Sequence, residues 1–200
     1  MLDRDKYLSE EEVKQLMAYS EAMALRALKR GTAYYVRAYA VIDFLLGTGC
    51  RATETRLLKI GNLNLKGSEP SVTVIGKRKK QRTIVISDTL RKHLKEFLNW
   101  KKMMNEPIRI DDYFFTNKYK KPWSLMGIQG LFKKMAREAG LRSVYSIHCT
   151  RHTVGFKTFK ESKNIRLTQT VLGHSSLVTT QIYTHVDPDE MKETMNNLWR

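Results

Sequence analysis

Residues 71–87 have the sequence SVTVIGKRKKQRTIVIS, and here the hydrophobic pattern of the chain changes to a period of two. Val72 and Val74 stand before a run of basic residues, and Ile84 and Ile86 stand after it. Because successive side chains of a strand point to opposite faces of a sheet, this alternation predicts two strands that each bury one face. The segment is therefore predicted to form a β-hairpin with a very basic tip.

Helical patterns lie on both sides of this hairpin. Residues 9–12 (SEEE) form a capping-box sequence before apolar residues at helical spacing, which predicts the start of a helix. Residues 32–46 predict a mostly buried second helix, and a further helical turn after Arg51 is predicted to carry Leu57 and Leu58 inward. Beyond the hairpin, helices are predicted at 88–100, at 125–139 and from 150 onward. The whole pattern predicts a mostly helical α+β domain with a small antiparallel sheet.

The composition indicates one folded domain with a large excess of positive charge. A chain of 200 residues, 42% of them hydrophobic, is long enough to bury one core, and residues 1–200 are predicted to form a single domain. The 36 Lys and Arg against 20 Asp and Glu leave a formal charge of +16, which attracts polyanions, nucleic acid first among them. An anionic membrane is the second candidate, but the most apolar stretch, 33–46, is interrupted by Arg37 and Asp43.

The cysteines and the first residues bear on the compartment. Cys50 and Cys149 match no zinc-motif spacing, so free thiols in a reducing cytoplasm are expected. Met1 leads directly into charged residues and not into a signal peptide. A basic DNA-binding protein in that compartment is expected to associate with the nucleoid.

Five short segments contain residue types that suit the binding and breaking of a phosphodiester. They are 49–54 (GCRATE), 76–80 (GKRKK), 148–152 (HCTRH), 172–175 (LGHS) and 183–185 (YTH). Arg51 offers a planar fork for bidentate hydrogen bonds to a phosphate, with Glu54 bracing it, although a plain surface ion pair explains both residues equally well. Lys77 on a basic tip is suited to follow DNA into its minor groove and to give a proton to a leaving oxygen, but a solvated charge is the simpler interpretation.

The last three segments carry candidate phosphate ligands and a candidate nucleophile. His148 and Arg151 are three residues apart, so they share a face if they open a helix, where backbone amides also point at an anion. His174 follows a glycine that fits a helix end, and a buried structural histidine is its alternative. Tyr183 lies beside Ile182, so a packing role is its default interpretation.

The order of these segments favours one interpretation. An Arg, a Lys in a hairpin, His-x-x-Arg, Leu-Gly-His and a Tyr nine residues after that last His follow one another along the chain. Over about residues 8–185 this arrangement resembles the tyrosine recombinase (phage integrase) family, whose blocks are roughly Gly-Leu-Arg-x-x-Glu, Gly-Lys-Gly, His-x-Leu-Arg-His, Leu-Gly-His and Tyr. Cys50 and Thr150 stand where the family has Leu, and Arg78 replaces the second Gly of the hairpin tip. None of these departures removes a reacting group.

The resemblance implies a phosphate-binding site made of side chains. Arg51 and Arg151 would bind the scissile phosphate, with Glu54 in support, and His174 would donate a further hydrogen bond to a non-bridging oxygen. These groups would stabilise the charge that grows in the transition state. Because the arginines supply the positive charge that a metal would give, neither a metal nor a cofactor is expected.

The resemblance also implies the reaction. Tyr183 would attack the phosphate, His148 would act as its general base, and Lys77 would protonate the leaving 5′ oxygen. The product would be a 3′-phosphotyrosyl link, which stores the bond energy so that a second DNA end can be joined without ATP. Integration, excision and inversion of DNA share this chemistry.

Partners and domain limits follow from the same resemblance. Double-stranded DNA, a homotetramer on that DNA and accessory DNA-bending proteins are implied, and no membrane. Residues 186–200 are predicted to form a short helix that docks either on its own domain or on a neighbouring protomer. The N-terminal helical domain of most family members is expected to be absent, whether by truncation or because this is a short member. Basic residues expected to contact phosphates are Arg78, Lys79, Lys80, Arg82, Lys120, Lys121, Lys133 and Lys134.

Three other classes of function remain open at this point. A type IB topoisomerase would share the chemistry of Arg51, Lys77 and Tyr183 but would relax DNA and not exchange partners. A DNA-binding regulator with the same fold would need the positive charge but not Tyr183. A membrane-surface or RNA-binding basic protein would explain the charge but not the ordered segments.

Overall fold

The computed structural model of the protein describes residues 4–76, 80–173 and 179–183. The helices in these residues are α1 Glu10–Lys29, α2 Tyr34–Thr48, α3 Ala52–Arg56, α4 Asp88–Met103, α5 Leu125–Glu138, α6 His148–Ser162 and α7 Ile165–Leu172. The strands are β1 Leu63–Asn64, β2 Ser71–Ile75 and β3 Gln81–Val85, and a 3-10 turn follows at Gln181–Tyr183. The predicted mostly helical α+β fold with a small antiparallel sheet is therefore confirmed.

The sheet contains the predicted hairpin and one further strand. The strand order is β1-β2-β3, and both pairs are antiparallel. Val72 pairs with Ile84 across the hairpin, and both side chains are buried, as is Val74. The alternation in the sequence thus identified the buried face of the hairpin correctly. Strand β1 was not predicted, because its two residues are too few to show a hydrophobic period.

The ends of the first two helices follow the local rules of the sequence. The Ser9 hydroxyl accepts a hydrogen bond from the Glu12 amide at 3.2 Å, and the Glu12 carboxylate accepts one from the Ser9 amide at 2.8 Å. This reciprocal pair confirms the predicted capping box that starts α1. Helix α2 ends at Gly49, whose φ of 64° lies in the left-handed region that glycine adopts without strain.

Helix α2 is the centre of the domain. It packs against α1, α4, α5 and α6, and most of its side chains are buried. Its C-terminal end therefore delivers the 49–54 segment to a position between α6 and the sheet-bearing part of the chain. Within the part of the chain that the structure describes, no helix combines the length and the apolar character needed to cross a bilayer.

Helix α3 ends before Leu57 and Leu58, the two residues that the predicted helical turn was expected to carry inward. Leu58 is buried, as predicted, but Leu57 is 40% exposed, so the expectation that both point inward was wrong for Leu57. The helix ends at Arg56, and Leu57 is its C-cap, with φ −98° and ψ 3°. The chain therefore leaves the helical path before Leu57 and turns its side chain towards solvent.

A group of charged side chains fixes the long connection between α4 and α5. The Glu106 carboxylate accepts hydrogen bonds from the Lys101 ammonium at 3.0 Å and from the Thr116 hydroxyl at 2.7 Å. The Arg37 guanidinium of α2 donates to the other carboxylate oxygen. All of these residues are buried, so the connection is tied to α2 and α4 by polar contacts that water does not reach.

Candidate active site

The site starts where α2 ends and α3 begins. Arg51 is the N-cap of α3, and Glu54 occupies the third helical position, so its carboxylate faces the start of the helix. That carboxylate accepts a hydrogen bond from the Arg51 amide at 2.7 Å and another from the Arg51 guanidinium at 2.9 Å. The side chain of Glu54 is 2% exposed and that of Arg51 is 42% exposed. The Arg51 guanidinium is thus held by Glu54 on one edge, and its other edge is open to solvent.

Arg82 of β3 holds the other side of the same carboxylate. Its two terminal nitrogens donate to the two oxygens of Glu54 at 2.6 and 3.0 Å, which is a bidentate pair. Burial by itself would raise the pKa of the Glu54 carboxyl, but the hydrogen bonds from Arg82 and from the Arg51 amide, with both positive charges, hold that pKa below its ordinary value of 4.5. Glu54 therefore stays ionised and joins the hairpin to α3.

Arg151 of α6 links the two helix ends that border the site. Its guanidinium donates to the Gly49 carbonyl at 2.8 Å and to the Leu172 carbonyl at 2.6 Å. Burial, followed by the nearby charge of Arg51, lowers the pKa of Arg151 to about 10. The residue is therefore still charged at neutral pH, and two guanidiniums of like charge are kept close together. An anion between them would relieve that repulsion.

Tyr183 lies in the 3-10 turn that packs on α6. Its side chain is 2% exposed, and its hydroxyl lies 2.9 Å from the Nδ1 atom of His152. Burial raises the pKa of Tyr183 to about 12, and the charge of Arg151 acts in the opposite direction. Burial, together with the charges of His148 and Arg151, lowers the pKa of His152 from its ordinary value of 6.5. At neutral pH the contact therefore joins a protonated phenol and a neutral imidazole.

The structure brings together four of the seven residues that were predicted to react with the phosphate or to support such a residue. Arg51, Glu54, Arg151 and Tyr183 lie around the junction of α2, α3 and α6. His148 is the first residue of α6 and is exposed, and the histidine that is hydrogen-bonded with the Tyr183 hydroxyl is His152, one turn further on. Four predicted residues lie outside the described part of the chain: Lys77, Arg78, Lys79 and His174.

The sequence did not indicate the contacts that two candidate residues make in the structure. His152 is part of the quoted segment 148–152, and its i, i+4 spacing from His148 was the available signal. DNA contact by Arg82 stays a prediction, and in the structure the Arg82 guanidinium is hydrogen-bonded to Glu54. Nothing local in the sequence indicates that pair, because 28 positions separate its members.

The other predicted phosphate contacts are spread over three places. Lys80 and Lys121 are exposed in the hairpin and in the 116–122 turn, and Lys120 in the same turn donates to the Asn105 carbonyl at 3.0 Å. Lys133 is exposed on α5. Lys134 lies over the ring of Tyr34, 4.3 Å from its centroid, which is a cation–π contact within the protein. DNA contact stays a prediction for all five of these lysines: Lys80, Lys120, Lys121, Lys133 and Lys134.

Comparison with protein families gives the class of this fold and site. A model of the phage integrase family matches residues 6–190. The chain therefore belongs to the phage integrase family. It is 37% identical to tyrosine recombinase XerC of Caldanaerobacter subterraneus over 163 residues, which are 80% of this chain and 44% of that protein. It is 32% identical to tyrosine recombinase XerD of Chlorobaculum tepidum, covering 80% of this chain and 52% of the relative.

Solved structures show the same fold. The XerA recombinase superposes with a TM-score of 0.74 at 27% identity, over 97% of this chain and 64% of that one. The XerH site-specific recombinase, solved in a pre-cleavage complex with its difH substrate, superposes with a TM-score of 0.79 at 24% identity, over 98% of this chain and 55% of that one. The chain thus spans about half the length of the curated relatives it matches.

Proposed function

We propose that this chain is the catalytic part of a site-specific DNA recombinase, which cleaves and rejoins DNA through a covalent link to Tyr183. The observation that carries the proposal is the double role of α6. Its Arg151 is bonded to the Gly49 carbonyl, two residues before Arg51, and the same helix packs against the turn that carries Tyr183. A phosphoryl transfer requires a phosphate ligand and a nucleophile held in fixed relative positions, and here the ligand lies on α6 and the nucleophile packs against the same helix.

Arg51 and Arg151 are proposed to bind the scissile phosphate. Arg51 is open to solvent and is braced by a carboxylate that stays ionised, so its free edge is available to a phosphate oxygen. Arg151 is already fixed by two carbonyls and needs no reorganisation when charge develops on the phosphate. His174 is proposed as a third donor, and it lies outside the described residues.

Tyr183 is proposed as the nucleophile. With its pKa raised to about 12, ionising the phenol at pH 7 before attack would cost on the order of 7 kcal/mol. The proton must therefore leave as the bond to phosphorus forms, and nearby cations reduce this cost. The resemblance assigns the proton acceptor to His148 and the proton donor for the leaving oxygen to Lys77; Lys77 lies outside the described residues.

Double-stranded DNA is the proposed substrate. The net charge of +16 supports a polyanionic partner. Among similar structures, XerH was solved with its difH substrate and the Tn1549 transposon integrase with transposon right end DNA. The matching proteins are recombinases and integrases, which favours strand exchange over relaxation by a topoisomerase or binding by a regulator.

Assembly and location follow from that activity. We propose a homotetramer on DNA, accessory DNA-bending proteins at the site, and action at the nucleoid in the cytoplasm. Exchange of the segment 186–200 between protomers is part of this proposal, and that segment lies outside the described residues.

Covalent trapping tests the proposed function. The protein is incubated with a library of genomic DNA fragments from its host and denatured, and the DNA-linked protein is counted and the fragments are sequenced. We expect adducts with the wild type and none with Tyr183→Phe. Tyr119→Phe is the matched control, because Tyr119 is 69% exposed and far from the site in sequence. Equal adducts from Tyr183→Phe and wild type would show that another residue is the nucleophile.

A further inference from the structure

The contact between His152 and Tyr183 carries an inference about how the nucleophile is held. We propose that His152 and Gly155 of α6 form a seat for Tyr183, here called the tyrosine seat, in which His152 fixes the hydroxyl and Gly155 makes room for the ring. The inference rests on the proposed function, because it concerns the residue that attacks DNA. It makes His152 a positioning residue for cleavage.

The hydrogen bond in the seat has a definite direction. Because the pKa of His152 is lowered, its imidazole is neutral and has one acceptor nitrogen. In the seat we assign Nδ1 as that acceptor, with the ring proton on Nε2, so that the protonated Tyr183 hydroxyl donates to Nδ1 across 2.9 Å. This bond fixes the rotation of the phenol about its C–O axis and therefore the direction of the oxygen lone pairs.

Gly155 sets how closely the phenol ring approaches α6. A Cβ atom built on Gly155 would lie 2.6 Å from the Cζ atom and 2.8 Å from the Cε2 atom of Tyr183, and 2.8 Å from the Leu172 side chain. Real side chains do not tolerate such distances, so any larger residue at position 155 must displace the ring. A glycine in the interior of α6 lowers helix stability by about 1 kcal/mol relative to alanine. The close approach of the ring accounts for its presence.

The seat shares its helix with the phosphate ligand. Arg151, His152 and Gly155 lie within two turns of α6, and Arg151 is fixed to two carbonyls. The residues that position the nucleophile and the phosphate ligand are therefore spaced by the geometry of one helix. Sites built on rigid elements fix the positions of reacting groups more precisely than sites on loops do. A misplacement of about 1 Å can lower the rate about 100-fold.

Replacing His152 tests the hydrogen bond. The substrate is a nicked duplex that carries a site recovered by covalent trapping, and the measured quantity is the single-turnover rate of Tyr183 adduct formation. We expect His152→Ala to react about 10- to 100-fold more slowly, with unchanged DNA affinity. We expect His152→Asn to stay within about threefold of wild type, because its amide oxygen reaches the place of Nδ1 and accepts the same bond. Rescue by Asn is a result that a purely structural role of the ring would not give.

A modified substrate locates the defect on the nucleophile side. In a duplex with sulfur at the bridging 5′ position, the leaving thiolate needs no proton, so a defect in leaving-group protonation disappears. The slow rate of His152→Ala should persist on this substrate. Loss of the defect there would contradict the inference.

Gly155→Ala tests the other half of the seat and does not depend on how His152 variants fold. At a temperature where the variant remains folded, we expect it to slow adduct formation at least tenfold, because the ring is displaced. Its thermal stability should fall, because overpacking against the ring and Leu172 outweighs the gain in helix propensity. Gly130→Ala in α5 is the matched control, since among the described residues no atom beyond its chain neighbours and its own helix backbone lies within 4 Å of its Cβ position, and it should cleave at the wild-type rate.

The outcomes separate this inference from the proposed function. If wild-type protein forms no Tyr183 adduct, the proposed function fails. If wild type forms the adduct and His152→Ala matches its rate, the proposed function stands and the seat is overturned. His152→Asn as slow as His152→Ala would also overturn it, and so would an undiminished rate in Gly155→Ala.

Discussion

Two carboxylates of this fold, Glu54 and Glu106, are each buried between two cations, but only Glu54 has a cation that reaches the surface. At Glu106 the side chains of the carboxylate and of Lys101 are 1% and 0% exposed, and that of Arg37 is 10% exposed. At Glu54 the carboxylate is equally buried at 2%, whereas the side chain of Arg51 is 42% exposed. Each cluster pairs one buried carboxylate with two cations, and the two clusters differ in their access to solvent.

The difference shows what distinguishes a structural ion cluster from a candidate site. Burial raises the pKa of each carboxyl. Hydrogen bonds from Arg82 and the Arg51 amide at Glu54, and from Thr116, Arg37 and Lys101 at Glu106, lower it, so that both carboxyls have pKa values below the ordinary 4.5. A lowered carboxyl pKa therefore does not identify the site. The half-exposed guanidinium of Arg51 identifies the site. Of the four cations in the two clusters, it is the one that can donate to an anion while it stays paired with its carboxylate.

The largest effect is expected at the closed cluster. Glu106→Gln leaves the charges of Arg37 and Lys101 buried without their counter-charge, so we expect a loss of about 3–5 kcal/mol in the free energy of unfolding. Urea denaturation measures it. Adding Lys101→Met to Glu106→Gln removes one of the two uncompensated charges and should recover part of the loss.

A surface carboxylate provides the control for Glu106. Glu96 lies 3.9 Å from Lys92, with side chains 61% and 75% exposed, so Glu96→Gln should change the free energy of unfolding by less than about 1 kcal/mol. An effect of Glu106→Gln no larger than that of Glu96→Gln would show that the buried cluster does not stabilise the fold.

The open cluster should respond in activity and not in stability. Arg51→Ala leaves Glu54 paired with Arg82, so the fold keeps its buried ion pair. We expect adduct formation with Tyr183 to fall about 100- to 1,000-fold, the cost of removing one donor to the transition state. Arg51→Lys should recover only part of the rate, because it restores the charge without the planar fork. Thermal unfolding at the wild-type temperature is the check, and a large drop there would mean that Arg51 is structural.

The sequence predicted what neighbouring residues determine. The hairpin follows from the alternation of residues such as Val72 and Ile84, and the start of α1 follows from Ser9 and Glu12, three positions apart. The pair of Arg51 and Glu54 belongs to the same group, because its spacing matches a helix start. In each case the partner lies within one strand pair or one helical turn, where periodicity and capping rules apply.

The sequence did not predict contacts that tertiary packing creates. Three contacts join residues that are far apart in the sequence. Glu106 and Arg37 are separated by 69 positions, Glu54 and Arg82 by 28, and Tyr183 and His152 by 31. No periodicity relates such pairs, since their meeting depends on how helices and hairpin pack. The family resemblance directed attention to the residues proposed to bind or attack DNA, and not to the residues that contact them in the fold.

Arg82 gives the smallest effect and the sharpest test of the open cluster. Arg82→Ala removes the hydrogen bonds between the hairpin and Glu54. We expect about tenfold slower adduct formation, with a modest loss in the free energy of unfolding. If Arg82 acts through Glu54 and Arg51, adding Arg82→Ala to Arg51→Ala should slow the reaction no further. Independent, multiplicative losses would contradict that route.

Salt dependence then distinguishes this role from the direct DNA contact predicted from the sequence. A residue that neutralises one phosphate contributes about one unit to the slope of log affinity against log salt concentration. Arg82 is held by Glu54 and its side chain is 15% exposed, so Arg82→Ala should leave the slope unchanged, whereas Lys80→Ala, at an exposed position of the hairpin, should reduce it. A reduced slope for Arg82→Ala would mean that DNA draws Arg82 away from Glu54, and the open cluster would then rearrange when the substrate binds.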